Sequence, residues 1–364
     1  MYASEVLEPG DQHRADTVAI GLVIPMHGPA GLFGLSCLAC AVLAAEGWNA
    51  AGGMLGRRIR LSPIDGAGEA TDVGERVTAA VRHERLDAVV GWHLSHVRRA
   101  IIERLPRQVP YVYSALYEGG EPNSEVLLLG ETPGRQIAPA MRWLARELGI
   151  HRWALVGDDY LWPRGSARAT RSFAHDLCLD IVEEVYVPLG QTDYTEVLDR
   201  LGRSTAQGVL MLLVGQDAVH FNRAFAAAGL DERLIRLSSL MDENMLLASG
   251  AEATDGLFSS AAYFDSLATE DALQLVGDYS ARFGAEAPVL NSMGESCYEA
   301  VTLLATMVQE AGSVRAEDLL RTAGAGAVGY QGPRGSTHLH GRQAIQPVHL
   351  ARADGLTFEI LVQL

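Results

Sequence analysis

Residues 46–59, Glu46-Gly47-Trp48-Asn49-Ala50-Ala51-Gly52-Gly53-Met54-Leu55-Gly56-Arg57-Arg58-Ile59, decide how the first third of the chain is read. A helical pattern over residues 35–51 ends here, the glycines stop it and turn the chain tightly, and a strand over 58–65 leaves the turn. Upstream, the apolar run 17–25 reads as a strand, so the chain opens as strand, helix, strand. The theme repeats with a helix over 70–83, a strand over 88–92, a helix over 95–105 and a short strand over 109–113. Such alternation predicts an open, mostly parallel sheet with helices on both faces.

The polar stretch EGGEPNS at 118–124 reads as a crossing into a second unit. There the same alternation resumes, with helices over 133–148, 163–177, 194–202 and 216–228 and strands over 152–157, 181–187, 208–213 and 235–238. Helical patterns over 269–283, 295–312 and 315–322 follow. The tail, 335–364, reads as short antiparallel strands separated by turns such as Ala353-Asp354-Gly355. The fold expected is therefore α/β, with two doubly wound, mostly parallel-sheet lobes joined by a three-segment hinge near residues 120, 262 and 330. Residues 16–120 and 263–330 would form the first lobe and 121–262 and 331–364 the second, with 1–15 a flexible N-terminal segment.

A chain of 364 residues supports two such lobes. All 29 of its basic residues are arginine, which excludes lysine Schiff-base chemistry and a P-loop lysine. A net charge of -16, with no arginine stripe to offset it, argues against direct nucleic-acid binding. No run long enough for a membrane helix is read in the sequence, so the chain is not expected to be membrane-embedded. The four cysteines, Cys37, Cys40, Cys178 and Cys297, sit in apolar helical patterns and read as buried free thiols. The start MYASEVLEPGDQH is acidic and polar rather than leader-like, which points to the cytoplasm, or to the periplasm if a leader has been removed.

The loop Pro25-Met26-His27-Gly28-Pro29-Ala30-Gly31 lies where a strand hands over to a helix, a position equally suited to a plain turn and to a ligand. Taken with N-x-x-G-G-x-x-G-R-x-I at 49–59 and the strand ending in Asp65, it resembles the type I periplasmic-binding-protein superfamily. Segments 91–100 (GWHLSHVRRA), 157–166 (GDDYLWPRGS), 182–190 (VEEVYVPLG) and 262–266 (AYFDS) resemble its amide- and urea-binding subgroup. That subgroup includes a cytoplasmic short-chain amide receptor that represses an amidase operon, as well as urea-binding proteins of ABC transporters. The likeness runs from about residue 18 to the C-terminus.

The resemblance implies a ligand held between lobes by Ser95 and Tyr113 from the first and Tyr160 and Trp162 from the second. Physically, Ser95 would open a helix, where its hydroxyl and the first N–H groups can receive a carbonyl or carboxylate oxygen. The aromatics would wall a small solute, or else merely pack. His93 stands where the subgroup has a tyrosine, and Ala115 and Leu116 where it has threonine and proline. His93 could donate or accept near neutral pH, and the other two add an apolar wall. Met241 and Tyr263, the latter in the hinge segment, complete the candidate set. Asp242 and Glu243 could meet an ammonium or amide N–H, or could simply be solvated.

Other signals fail on context. Gly324-Ala325-Gly326-Ala327-Val328-Gly329 matches GxGxxG but follows a helix and reads as a loop. His338 and His340 share a strand face without a third ligand nearby, so no metal is expected. No nucleophile elbow or zincin helix is present, which leaves an enzyme without a nominated nucleophile; the resemblance implies a binding protein and not an enzyme, and no cofactor is expected. The leading expectation is a sensor that closes on a short amide, urea or related metabolite. A transport protein for amides, urea or branched-chain amino acids and an α/β enzyme using the same cleft are the rivals. The resemblance implies an RNA-binding antiterminator as partner if the chain is cytoplasmic and an ABC permease if it is secreted, and a homodimer is compatible with either.

Overall fold

Strand β1 (Thr17–Ile24) is buried from Val18 onward, as an eight-residue apolar run must be when parallel neighbours and helices cover it. In the computed structural model, which describes residues 16–123, 125–326 and 328–364, β1 pairs in parallel with β2 (Arg58–Asp65) on one side and β3 (Ala88–Gly91) on the other. Strands β4 (Tyr111–Tyr113) and β5 (Val126–Leu128) extend that sheet in parallel. The second sheet contains β6 (Arg152–Asp158), β7 (Asp180–Val187), β8 (Gly208–Leu212), β9 (Ile235–Ser238) and β10 (Leu257–Ala261), again parallel.

The tail divides between the two sheets. Antiparallel β11 (Gly329–Gly332), β12 (Gly335–His340) and β13 (Gln343–Ile345) close the edge of the first, and β14 (His349–Asp354) and β15 (Thr357–Gln363) close the edge of the second. The orders are β11-β12-β13-β5-β4-β3-β1-β2 and β15-β14-β10-β9-β8-β6-β7. The expected two-lobed α/β architecture is what the structure shows. Two of the three crossings, however, fall later than expected, after Leu128 and after Ile345 rather than near 120 and 330. The segment 1–15 lies outside the described residues, as does Ser124 of the first expected crossing.

Helices α1 (Gly34–Ala50), α2 (Ala70–His83) and α3 (Ser95–Arg104) alternate with the first strands. Helices α4 (Pro133–Leu148), α5 (Leu161–Asp176), α6 (Thr195–Arg203), α7 (Gln216–Ala227) and α8 (Glu243–Ser249) alternate with the second set. Helices α9 (Glu270–Phe283), α10 (Ser292–Ala311) and α11 (Ala316–Gly324) return to the first lobe. Residues Pro29–Ala50, a 3-10 turn leading into α1, form a run of 22 residues apolar enough to cross a membrane, longer than the sequence reading allowed. Here α1 is a core helix packed along α10, with Cys37, Cys40, Ala41 and Ala44 buried. Three thiols are buried as expected, but Cys178 is exposed, at the left-handed turn (φ 54) that ends α5.

The glycine turn after α1 works by close approach. Gly53 has φ 75, and a Cβ there would stand 2.1 Å from the carbonyl oxygen of Arg57, against which the Met54–Arg57 bridge folds. Asn49 fastens the turn to β2 by accepting from the N–H of Ile59 at 2.7 Å and donating to its carbonyl at 3.0 Å.

Candidate functional site

Parallel strands deliver their following loops to one end of a sheet, and in open α/β sheets ligands sit beyond those carboxyl ends. The loops after β3 and β4 meet those after β6 and β9 around a tight cavity whose free space, part of it open to solvent, is about 200 Å³. Trp92, His93, Leu94, Ser95, Tyr113, Ala115 and Leu116 line it from the first lobe and Tyr160, Trp162 and Leu240 from the second. Seven of the nine candidate residues named from the sequence therefore come together. Met241 and Tyr263 do not. Met241 points away, its carbonyl accepting from Ser259 Oγ at 2.7 Å and its sulfur from Asn222 at 3.6 Å. Tyr263 is buried in a separate cluster with Cys40, Leu275 and Tyr279.

Ser95 is the first residue of α3, whose first-turn N–H groups have no partner within the helix. Its hydroxyl donates to Glu118 Oε2 at 2.8 Å. Arg98, one turn on and buried, donates to Glu118 Oε1 at 2.7 Å and to Glu121 Oε2 at 3.0 Å. Its guanidinium also lies 4.9 Å from the centre of the Tyr113 ring. One cation therefore serves two carboxylates, and the trio carries a formal charge of -1 beside the cavity. Glu118 lies in the polar stretch 118–124 expected only to cross between lobes, so nothing local singles it out. Trp92, Leu94 and Leu240 were also missed, although each adjoins a strand end.

His93 does not offer its ring to a ligand. Its Nε2 lies 2.8 Å from the Tyr111 hydroxyl and its Nδ1 3.4 Å from the carbonyl of Leu94. Burial holds its pKa down at about 3, so the ring is neutral across the physiological range. Its backbone carbonyl accepts from the Tyr113 hydroxyl at 2.7 Å, so His93 positions both tyrosines. Burial pushes the Tyr113 phenol up to about 12. Across the cleft, the His96 ring meets Tyr160 edge-on at 5.2 Å, and its buried Nδ1 has no hydrogen-bond partner among the described residues.

Asp242 and Glu243 are neither solvated nor in the cavity. Both are buried; Asp242 caps α8 by accepting from the N–H of Met245 at 3.0 Å, and Glu243 accepts from the N–H of Asp265 at 3.0 Å. The 3-10 turn Pro29–Phe33 does not line the cavity either; it faces Gly215 of the second lobe. His338 and His340 are exposed on β12, and no cluster of three metal-ligating side chains occurs among the described residues. Gly324 ends α11 and Gly329 opens β11, while Ala327 lies outside the described residues.

Two α/β lobes with a small, mixed cavity between their strand ends define a binding protein that takes a small molecule into an interlobe cleft. The chain belongs to the periplasmic binding protein family, whose model matches residues 17–357. It is similar to an ABC transporter substrate-binding protein from Sphaerobacter thermophilus at 24% identity, with 96% of this chain and 98% of that one covered and a TM-score of 0.83. An ABC transporter solute binding protein from Rhodopseudomonas palustris, in complex with 3,4-dihydroxybenzoic acid, matches at 19% identity, 96% and 97% coverage and a TM-score of 0.83. The branched-chain amino acid transporter substrate binding protein LivJ from Streptococcus pneumoniae, in complex with isoleucine, matches at 18% identity, 96% and 100% coverage and a TM-score of 0.81.

The family is one of binding proteins, in keeping with the expectation of no enzymatic activity. The cytoplasmic placement is overturned, because the matched family is that of periplasmic binding proteins and the similar structures are ABC transporter solute-binding proteins. The acidic, polar opening of the sequence misled on this point, and the antiterminator partner, which requires a cytoplasmic chain, loses its footing with it.

Proposed function

We propose that the chain is the solute-binding component of an ABC transporter and that its lobes close on a short-chain amide, with urea the smallest member of the same ligand class. The observation that carries the ligand class is the Ser95–Glu118 hydrogen bond. It turns the Ser95 proton toward Glu118 and leaves the Ser95 oxygen as an acceptor at the start of α3, beside N–H groups that can receive a carbonyl oxygen. A neutral amide satisfies both, its C=O on the helix and an N–H toward the Ser95 oxygen, with Glu118 behind that hydroxyl. A carboxylate solute in the same place would face the surplus negative charge of the Arg98, Glu118 and Glu121 trio. The apolar part of the lining, with Trp92, Ala115, Leu116, Trp162 and Leu240, suits an alkyl tail. The cavity is small even for a metabolite site.

A second reading, a branched-chain amino acid or aromatic carboxylate, draws on the isoleucine and 3,4-dihydroxybenzoic acid bound by the solved relatives. Thermal unfolding with acetamide, propionamide, butyramide and urea, set against isoleucine and benzoate, separates the two. A solute at 100 times its Kd stabilises the fold by about 2.7 kcal/mol. A rise with the amides and none with the carboxylates is expected; a rise with the carboxylates alone would reject the amide reading.

A further inference from the structure

The lobes meet at two glycines. A Cβ at Gly165, in the second turn of α5, would stand 2.5 Å from Cβ and 2.8 Å from Cγ of Glu118. A Cβ at Gly215, which precedes α7, would stand 2.1 Å from the carbonyl oxygen of Pro29. Carbon atoms in good contact sit about 3.5–4.0 Å apart, so neither position has room for a methyl group. Glu118 cannot easily swing aside, because Ser95 and Arg98 hold both of its carboxylate oxygens. Gly165 lies three residues beyond Trp162 on the same helix face, so the place where the lobes touch is mechanically joined to the wall of the cavity. Neither Gly165 nor Glu118 lines that cavity.

A glycine inside a helix costs about 1 kcal/mol relative to alanine. In α5 it has a compensating use. We propose that Gly165 is a positioning residue for solute capture: the missing side chain lets Glu118 seat against α5, and that seat sets the angle at which the lobes close. The inference deepens the reading of the cleft as a closing site and depends on the choice of solute only in its second measurement. Gly165→Ala favours the helix of the free chain while wedging the lobes apart, so stability and closure move in opposite directions.

The first measurement needs no solute. Nitroxide labels at Met26→Cys in the first lobe and Leu189→Cys in the second, both exposed positions, report the interlobe distance by electron–electron double resonance. The labelled chain carries Cys178→Ser, since Cys178 is exposed while Cys37, Cys40 and Cys297 are buried. Without solute, a fraction of the parent is expected to populate the short distance of the seated lobes, and Gly165→Ala to shift that fraction to longer distances. Gly277→Ala, in α9 where an added Cβ meets nothing within 4 Å, is the control for helix propensity and should leave the distribution unchanged. The second measurement takes whichever solute of the amide and carboxylate panel stabilises the parent. Gly165→Ala should weaken its binding by about tenfold or more, with the unfolding temperature of the free chain equal or higher. A parent without the short-distance population, or a Gly165→Ala chain that keeps it, overturns the proposal. Because the distance is read without solute, failure of the amide reading and failure of the seat are told apart.

Discussion

Glu131 accepts a hydrogen bond from the backbone N–H of Ala262 at 2.9 Å, which fastens the first interlobe crossing to the second. The third is held in the same place: Gln346 donates to the carbonyl of Leu129 at 3.2 Å, and Arg135 donates to the carbonyl of Gln346 at 3.3 Å. Buried Arg334 lies 3.9 Å from Glu131 and donates to Glu295 at 2.6 Å, so a charged cluster backs the clasp.

Removing that acceptor should be felt. Glu131→Ala leaves a buried N–H unpaired and takes a counter-charge from Arg334, a loss of about 1–3 kcal/mol. Glu131→Gln keeps an oxygen for Ala262 and should lose less. Guanidinium chloride unfolding is the suitable measurement, since urea is itself a candidate solute; equal losses in the two variants would show that the Ala262 contact contributes nothing.

At the cavity, Ser95→Ala removes the donor to Glu118 and should weaken amide binding by about tenfold in titration calorimetry. Glu118→Gln removes one negative charge from the trio and should bring carboxylate solutes such as isoleucine closer in affinity to amides. Unaltered selectivity in Glu118→Gln would contradict the role given to that carboxylate.

The turn after α1 offers a paired test. Gly53 and Gly56 have nearly the same dihedral, φ 75 and 76, but only Gly53 faces an obstruction: a methyl group there would meet the Arg57 carbonyl oxygen at 2.1 Å, whereas one at Gly56 would enter open space. Gly56→Ala should cost about 1–2 kcal/mol for the left-handed conformation alone, and Gly53→Ala clearly more. Similar unfolding midpoints for the two variants would remove the close-approach argument.

Burial raises the Asp242 carboxyl from its ordinary value to about 7. The unfolded chain releases this proton near pH 4 and the folded chain only near pH 7, so over that interval the unfolded state binds fewer protons. The contribution to stability is complete below about pH 4 and is lost as the pH rises through about 7. Asp242→Asn keeps an oxygen to cap Met245 and abolishes the titration, so its stability should decline less steeply than the parent's across that range. Parallel pH profiles would disprove the assignment.

The regular alternation of strands and helices was legible because β1 to β4 and β6 to β9 are apolar runs or, as in β2 and β7, apolar residues interspersed with charged ones, bounded by turn residues. Strand β5 was not, since Val126–Leu128 is too short to show a period and is recognised only by its pairing with β4. The division of the tail depends on distant partners: β13 reaches the first sheet through the pairing of Gln343 with Leu128, which nothing local announces. In the site, residues directly after strand ends could be named, but neighbours could not be told apart. Leu240 lines the cavity whereas Met241, one residue on, faces Ser259. Polarity misled at Asp242 and Glu243, where backbone N–H groups hold carboxylates in the interior.

Three crossings clasped side by side resist sliding and shear far better than they resist turning. The soft motion left to the lobes is rotation about one axis through Leu129, Ala262 and Gln346. A solute in the cleft is then converted into a single angle, and a permease facing the two lobes would need to gauge only that angle to tell a loaded carrier from an empty one.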